Sequence, residues 1–89
     1  MPEQTVVVRN KLGLHARASA KLASTANRFN AEVELIRDGI SINAKSIMGI
    51  MMLAAAQGTV LTIRTRGEEA HEALAAVVGL IEGGFGEVE

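Results

Sequence analysis

The pair Asp38-Gly39 limits the folds open to this chain more than any other feature. It stands between two alternating runs, Ala31-Glu32-Val33-Glu34-Leu35-Ile36-Arg37 before it and Ile40-Ser41-Ile42-Asn43 after it. Alternation at a period of two marks a strand with one buried face. Asp-Gly between two such runs is the strongest short hairpin signal, because its turn needs backbone angles that glycine adopts freely and aspartate tolerates. The two runs are expected to pair antiparallel. With only 89 residues in the chain, they must share a single core with everything else, so one domain over 1–89 is expected.

The remaining elements follow from periodicity. Thr5-Val6-Val7-Val8-Arg9 is β-branched and reads as a first strand over 5–9. Gly13 helps break the chain over 10–14, and residues 16–28 turn to good helix formers. Ala18, Leu22, Ala26 and Phe29 recur there at spacings of four, four and three, giving one buried stripe. A second helix is expected over 47–56, capped by Ser46 and stopped by Gly58. On its wheel Ile47, Ile50, Leu53 and Ala54 share one side, while Met48, Met51, Met52 and Ala55 fall towards the other.

Residues 59–66 alternate Leu61 and Ile63 against Thr62, Arg64 and Arg66, giving a fourth strand. Gly67 and Glu68-Glu69 then open a third helix, whose stripe is Ala70, Leu74, Val77, Val78 and Ile81 and which ends at Gly83-Gly84. The order is β-α-β-β-α-β-α. It predicts an α+β fold, a four-stranded antiparallel sheet covered on one face by three helices and open to solvent on the other.

Composition removes several function classes. A formal net charge of -1 and two aromatic residues, Phe29 and Phe85, argue against a nucleic-acid binder. No cysteine is present, which excludes a disulfide staple, a thiolate nucleophile and a zinc knuckle. The longest apolar stretch, 47–56, is about half of the roughly 20 residues needed to span a bilayer, so no membrane insertion is expected. No basic segment followed by an apolar run opens the chain, and the expected setting is the cytoplasm.

The chemistry gathers around His15. The stretch Asn10-Lys11-Leu12-Gly13-Leu14-His15-Ala16-Arg17 delivers a histidine to the first turn of a helix, with Arg17 two residues on. Arg9, Lys11, Lys21 and Arg28 lie nearby, and no acidic residue follows them in sequence until Glu32. Free N–H groups and the positive end of the dipole at a helix start favour an anion and disfavour an imidazolium, which keeps the ring nucleophilic. Arg17 offers a planar fork of donors for phosphate oxygens. These parts suit phosphoryl transfer, where positioning and charge stabilisation carry most of the catalysis. Position alone does not separate that use from an ordinary surface or capping histidine. His71 lies on another helix and reads as solvated, so no metal site and no cofactor is expected. Ser19 and Ser24 lack a nucleophile elbow or an orienting acid for hydrolase chemistry.

Gly13-Leu14-His15-Ala16-Arg17 resembles the active-site motif of the HPr family, the phosphocarriers of the bacterial phosphotransferase system. Lys45-Ser46-Ile47-Met48-Gly49 resembles that family's second signature, around its regulatory serine. The resemblance covers essentially the whole chain and includes the closing Gly84-Phe85-Gly86-Glu87. It implies an open-faced β-sandwich, and a monomeric carrier that is no turnover enzyme. His15 would accept a phosphoryl group on Nδ1 from enzyme I, assisted by Arg17, and pass it to enzyme IIA domains. It also implies phosphorylation of Ser46 by HPr kinase/phosphorylase. An alternative within the family is a regulatory binding module governed by Ser46, or a carrier of the nitrogen-related branch. The family usually has proline where Ala18 stands. Alanine should keep the helix, with the rigidity of the His15 loop as what is at stake.

Ser46 is also a preferred N-cap residue in its own right. Ile47, Met48, Met51 and Met52, with Lys21, are the expected partner-binding residues, since methionine repacks readily against different surfaces.

Overall fold

The computed structural model describes residues 1–87. Its elements run β1 (Glu3–Val7), α1 (Ala16–Asn27), β2 (Glu32–Arg37), β3 (Ile40–Asn43), α2 (Ile47–Met52), β4 (Val60–Arg66) and α3 (Ala70–Glu82), followed by a 3-10 turn at Gly84–Gly86. The four strands form one antiparallel sheet in the order β1-β4-β2-β3. Between β2 and β3, Asp38 (φ 50°) and Gly39 (φ 81°) both take positive φ, as a two-residue hairpin of the expected kind requires.

Strand alternation places the core. Val6, Val33, Leu35, Leu61 and Ile63 are buried on the helix side. They meet Ala18, Leu22 and Ala26 of α1 together with Ala73, Val77, Val78 and Ile81 of α3. Thr65 is buried too; its hydroxyl donates to the Ala70 carbonyl at 2.7 Å, so the sheet's one inward hydroxyl ties β4 to the start of α3. On the open face, cross-strand neighbours pair by charge. Arg66 meets Glu32 through two hydrogen bonds of 3.0 and 2.7 Å, and Arg64 meets Glu3 at 3.0 Å.

Several boundaries differ from the sequence reading. β1 begins two residues earlier, because Glu3 and Gln4 find backbone partners in Arg64 and Ile63 of the long β4. α3 begins at Ala70; Glu68 and Glu69 instead accept hydrogen bonds from Asn30, fastening the turn before β2. The largest departure is α2, which ends at Met52 rather than near residue 56. Ala54 turns left-handed (φ 50°), and Arg37 donates to the carbonyls of Leu53 and Ala54 at 2.7 and 3.0 Å. These carbonyls are therefore gathered by a side chain from β2, and Gly58 plays no part in stopping the helix. Because the chain has left the helix, Ala55 is buried instead of facing outward with the methionines. Ile47, grouped with Ile50 on the wheel, is exposed.

Candidate functional site

The loop between β1 and α1 is shaped by Gly13. This residue is buried at φ 67°, and a Cβ there would lie 2.4 Å from the Ala55 carbonyl oxygen. That close approach lets the Leu14 N–H donate to the same oxygen at 2.9 Å, locking the loop onto the segment that follows α2. Asn10, also buried, closes the loop from inside by donating its amide to the Gly13 carbonyl at 2.7 Å. Leu14 is buried, and its carbonyl receives the Ser19 hydroxyl at 3.1 Å.

His15 emerges from this frame as the N-cap residue of α1, in extended backbone. Its side chain makes no capping hydrogen bond, and the first turn carries no acidic residue. The leading N–H groups of the helix are thus left for an outside acceptor. Ala18 is buried and α1 starts at Ala16, so the helix forms with alanine at the position where the resemblance led to an expectation of proline. Arg17 is exposed, and its guanidinium has no hydrogen-bond or ion-pair partner among the described residues. His15, Arg17 and Lys21 line one open cleft of about 580 Å³ together with Leu12, Gly86 and Glu87.

Glu87 changes the electrostatics read from the sequence. Its Oε2 lies 2.5 Å from His15 Nε2, and its Oε1 accepts from the Asn10 amide at 3.1 Å. The positive stretch is therefore met by an acid 72 residues away along the chain. The hydrogen bond to His15 holds the Glu87 carboxyl below its ordinary value, aided by the Asn10 amide and the Lys21 charge against the cost of burial. Lys21 reaches this corner as well: its ammonium donates to the Phe85 carbonyl at 2.8 Å. Neither Asn10 nor Glu87 stood out in the sequence. Glu87 was visible only as part of a closing stretch with no spacing relation to residue 15.

Ser46 caps α2, its hydroxyl accepting from the Gly49 N–H at 3.0 Å, and the residue is exposed. Met48, Met51, Met52 and Ile47 are all exposed, with Met48 and Met52 at 75% and 79%, so the methionines lie outside the core. His71 is exposed on α3. Among the described residues no group of His, Cys, Asp and Glu could hold a metal ion, and no helix is long and apolar enough to cross a membrane.

The family model described as the PTS HPr component phosphorylation site matches residues 2–83. The chain is 51% identical to the phosphocarrier protein HPr of Xylella fastidiosa, over 98% of each protein. It is also 45% identical to the HPr-like protein Crh of Bacillus subtilis, over 92% of this chain and 96% of that one. Among solved structures, HPr-C-His from Thermoanaerobacter tengcongensis superposes over the full length of both chains, with a TM-score of 0.96 and 44% identity. A match across sequence, sheet order and helix order leaves one assignment: the chain belongs to the HPr family of phosphocarrier proteins of the phosphotransferase system.

Proposed function

We propose that this protein carries a phosphoryl group on His15, accepting it from enzyme I and delivering it to enzyme IIA domains in the cytoplasm. The observation that carries the reading is the histidine at an uncapped helix start, with Nε2 engaged by Glu87 and Nδ1 without a partner among the described residues. The free ring nitrogen is the atom that the family resemblance implicates. The open N–H groups and the unpartnered Arg17 supply the charge and donors that a phosphoryl group's oxygens need. No bond to phosphorus has to be made by any residue other than His15, so the remaining groups act by positioning and by charge.

The docking surface would combine the His15 cleft with the exposed face of α2. Burial of Leu12, Ile47, Met48, Met51 and Met52 by a partner would recover hydrophobic free energy that the free protein forgoes. Phosphorylation of Ser46 by HPr kinase/phosphorylase would add about −1.5 to −2 charge on this surface. A partner whose acidic groups meet Arg17 and Lys21 would then dock more weakly. The similarity to Crh, named the catabolite repression HPr of Bacillus subtilis, agrees with a second reading: a regulatory binding module, in which Ser46 would be the control point and His15 transfer secondary. His15 and Arg17, together in one cleft, favour the carrier.

The deciding experiment incubates the protein with enzyme I and labelled phosphoenolpyruvate. The expected product is an acid-labile label on His15 that moves to an enzyme IIA domain. Label confined to Ser46, and only with a kinase and ATP, would favour the regulatory module instead.

A further inference from the structure

The C-terminal turn is built to hold one carboxylate. Gly84, Phe85 and Gly86 all take positive φ (65°, 60° and 72°), a conformation that a bulky residue such as Phe85 adopts only under constraint. The constraint is visible. The Phe85 ring is buried in the core, and its carbonyl accepts from Lys21 of α1. Two residues on, the Glu87 N–H donates to the Gly84 carbonyl at 3.1 Å. The carboxylate then spans two partners, the Asn10 amide on Oε1 and the His15 ring on Oε2. Asn10 sits buried with its Oδ1 unpartnered among the described residues, so its amide serves here as a donor, to Gly13 and to Glu87.

Resting on the carrier reading above, we infer that Glu87 is a positioning residue that fixes the protonation pattern of His15. Its carboxylate accepts a hydrogen bond from the Nε2–H, which leaves the lone pair on Nδ1 for phosphorus. An ionised carboxylate accepts hydrogen bonds and cannot donate one, so the nitrogen facing it must carry the proton. The shift of the Glu87 carboxyl below its ordinary value agrees with an ionised group.

In the transfer step the Nδ1 lone pair forms the N–P bond while the donor's bond to phosphorus breaks. The leaving group departs with that bond's electron pair. The Nε2 proton stays where it is, and the ring becomes cationic beside the Glu87 carboxylate, which offsets the new charge. Delivery reverses the balance: the acceptor's nucleophile bonds to phosphorus, and the N–P electron pair returns to Nδ1. Asn10 keeps the carboxylate aimed throughout, as the third member of an Asn10–Glu87–His15 chain.

The test uses the full-length protein and two variants, Glu87→Gln and Glu87→Ala. Nitrogen-15 NMR of the ring, at a pH where it carries one proton, reads which nitrogen is protonated; the rate of acceptance from phospho-enzyme I is measured alongside. The wild type should carry its proton on Nε2. In both variants the two ring nitrogens should move towards the averaged signals of a tautomer mixture. Acceptance should slow by roughly ten- to a hundredfold, by analogy with the loss seen when the carboxylate or carbonyl that orients a metal-ligating histidine is removed. A contact that is merely structural would lower the melting temperature and leave the tautomer unchanged, which overturns the inference. A wild-type ring protonated on Nδ1, or equal rates in wild type and both variants, overturns it as well. No label on wild-type His15 overturns the carrier reading itself, an outcome distinct from the other two.

Discussion

Two helices of this protein start in opposite ways. α2 opens on Ser46, whose hydroxyl accepts from the Gly49 N–H and satisfies the helix end from within. α1 opens on His15, whose side chain turns away from the helix end and towards Glu87, leaving the leading N–H groups without a cap. A self-satisfied end stabilises the fold and needs no visitor. An uncapped end costs some stability and keeps its donors for an anion. The same backbone position thus carries a cap in one helix and, on the function proposed above, serves chemistry in the other.

The most direct way to break this comparison is to give α1 the cap of α2. His15→Ser should abolish acid-labile labelling by enzyme I completely. The new hydroxyl can cap the first turn and offset the lost hydrogen bond to Glu87, so stability should stay within about 1 kcal/mol of wild type. Retained labelling would sink the carrier reading, and a large loss of stability would sink the view of His15 as a poor cap. Gly13→Ala attacks the frame instead. It combines positive φ with a Cβ 2.4 Å from a backbone oxygen, so a loss of about 3 kcal/mol in urea unfolding is expected. A loss below about 1 kcal/mol would mean that the loop moves off Ala55 without strain. Ser46→Ala should cost about 1 kcal/mol through the lost cap. It should leave His15 labelling intact, whereas Ser46→Asp should keep the cap and slow labelling. Equal labelling rates for Ser46→Asp and wild type would remove the docking argument for residue 46.

Much of this molecule could be read from local signals. Asp38-Gly39 gave the hairpin because both residues must supply positive φ, and Ser46 gave the start of α2 because a serine cap acts within three residues. The placement of His15 at a helix start, with Arg17 exposed in the first turn, was legible from the helix signals. What escaped the sequence depends on tertiary contact. α2 stops at Met52 because Arg37, from a strand, collects the carbonyls of Leu53 and Ala54, and no periodicity within 47–56 carries that information. Glu87 joins His15 only once the buried Phe85 ring and the Lys21 ammonium have fixed a turn in unusual backbone. A histidine judged by its sequence neighbours met only basic charge; the folded chain sets a carboxylate against it.

The smallest effect separates the two helix starts by pH. Folding holds the Glu87 carboxyl below its ordinary value of 4.5, chiefly through the hydrogen bond to His15, so folding favours the ionised form. That contribution is present in full above the ordinary value and is lost as pH falls through the lower, folded one. The stability gap between wild type and Glu87→Gln should therefore close as the solution is taken from about pH 5 towards about pH 2. The Ser46 cap involves a hydroxyl and an amide, neither of which titrates in that range, so the deficit of Ser46→Ala should stay constant. Glu32→Gln is the control for a carboxylate that is also lowered, by its hydrogen bond to Arg66, but lies on the open face of the sheet. Its gap should close over the same range while His15 labelling stays at the wild-type rate. Urea unfolding of the three variants beside wild type, repeated across pH, reads all of this. A Glu87→Gln gap that stayed as flat as that of Ser46→Ala would mean the carboxylate contributes no more to the folded His15 end than a neutral amide does.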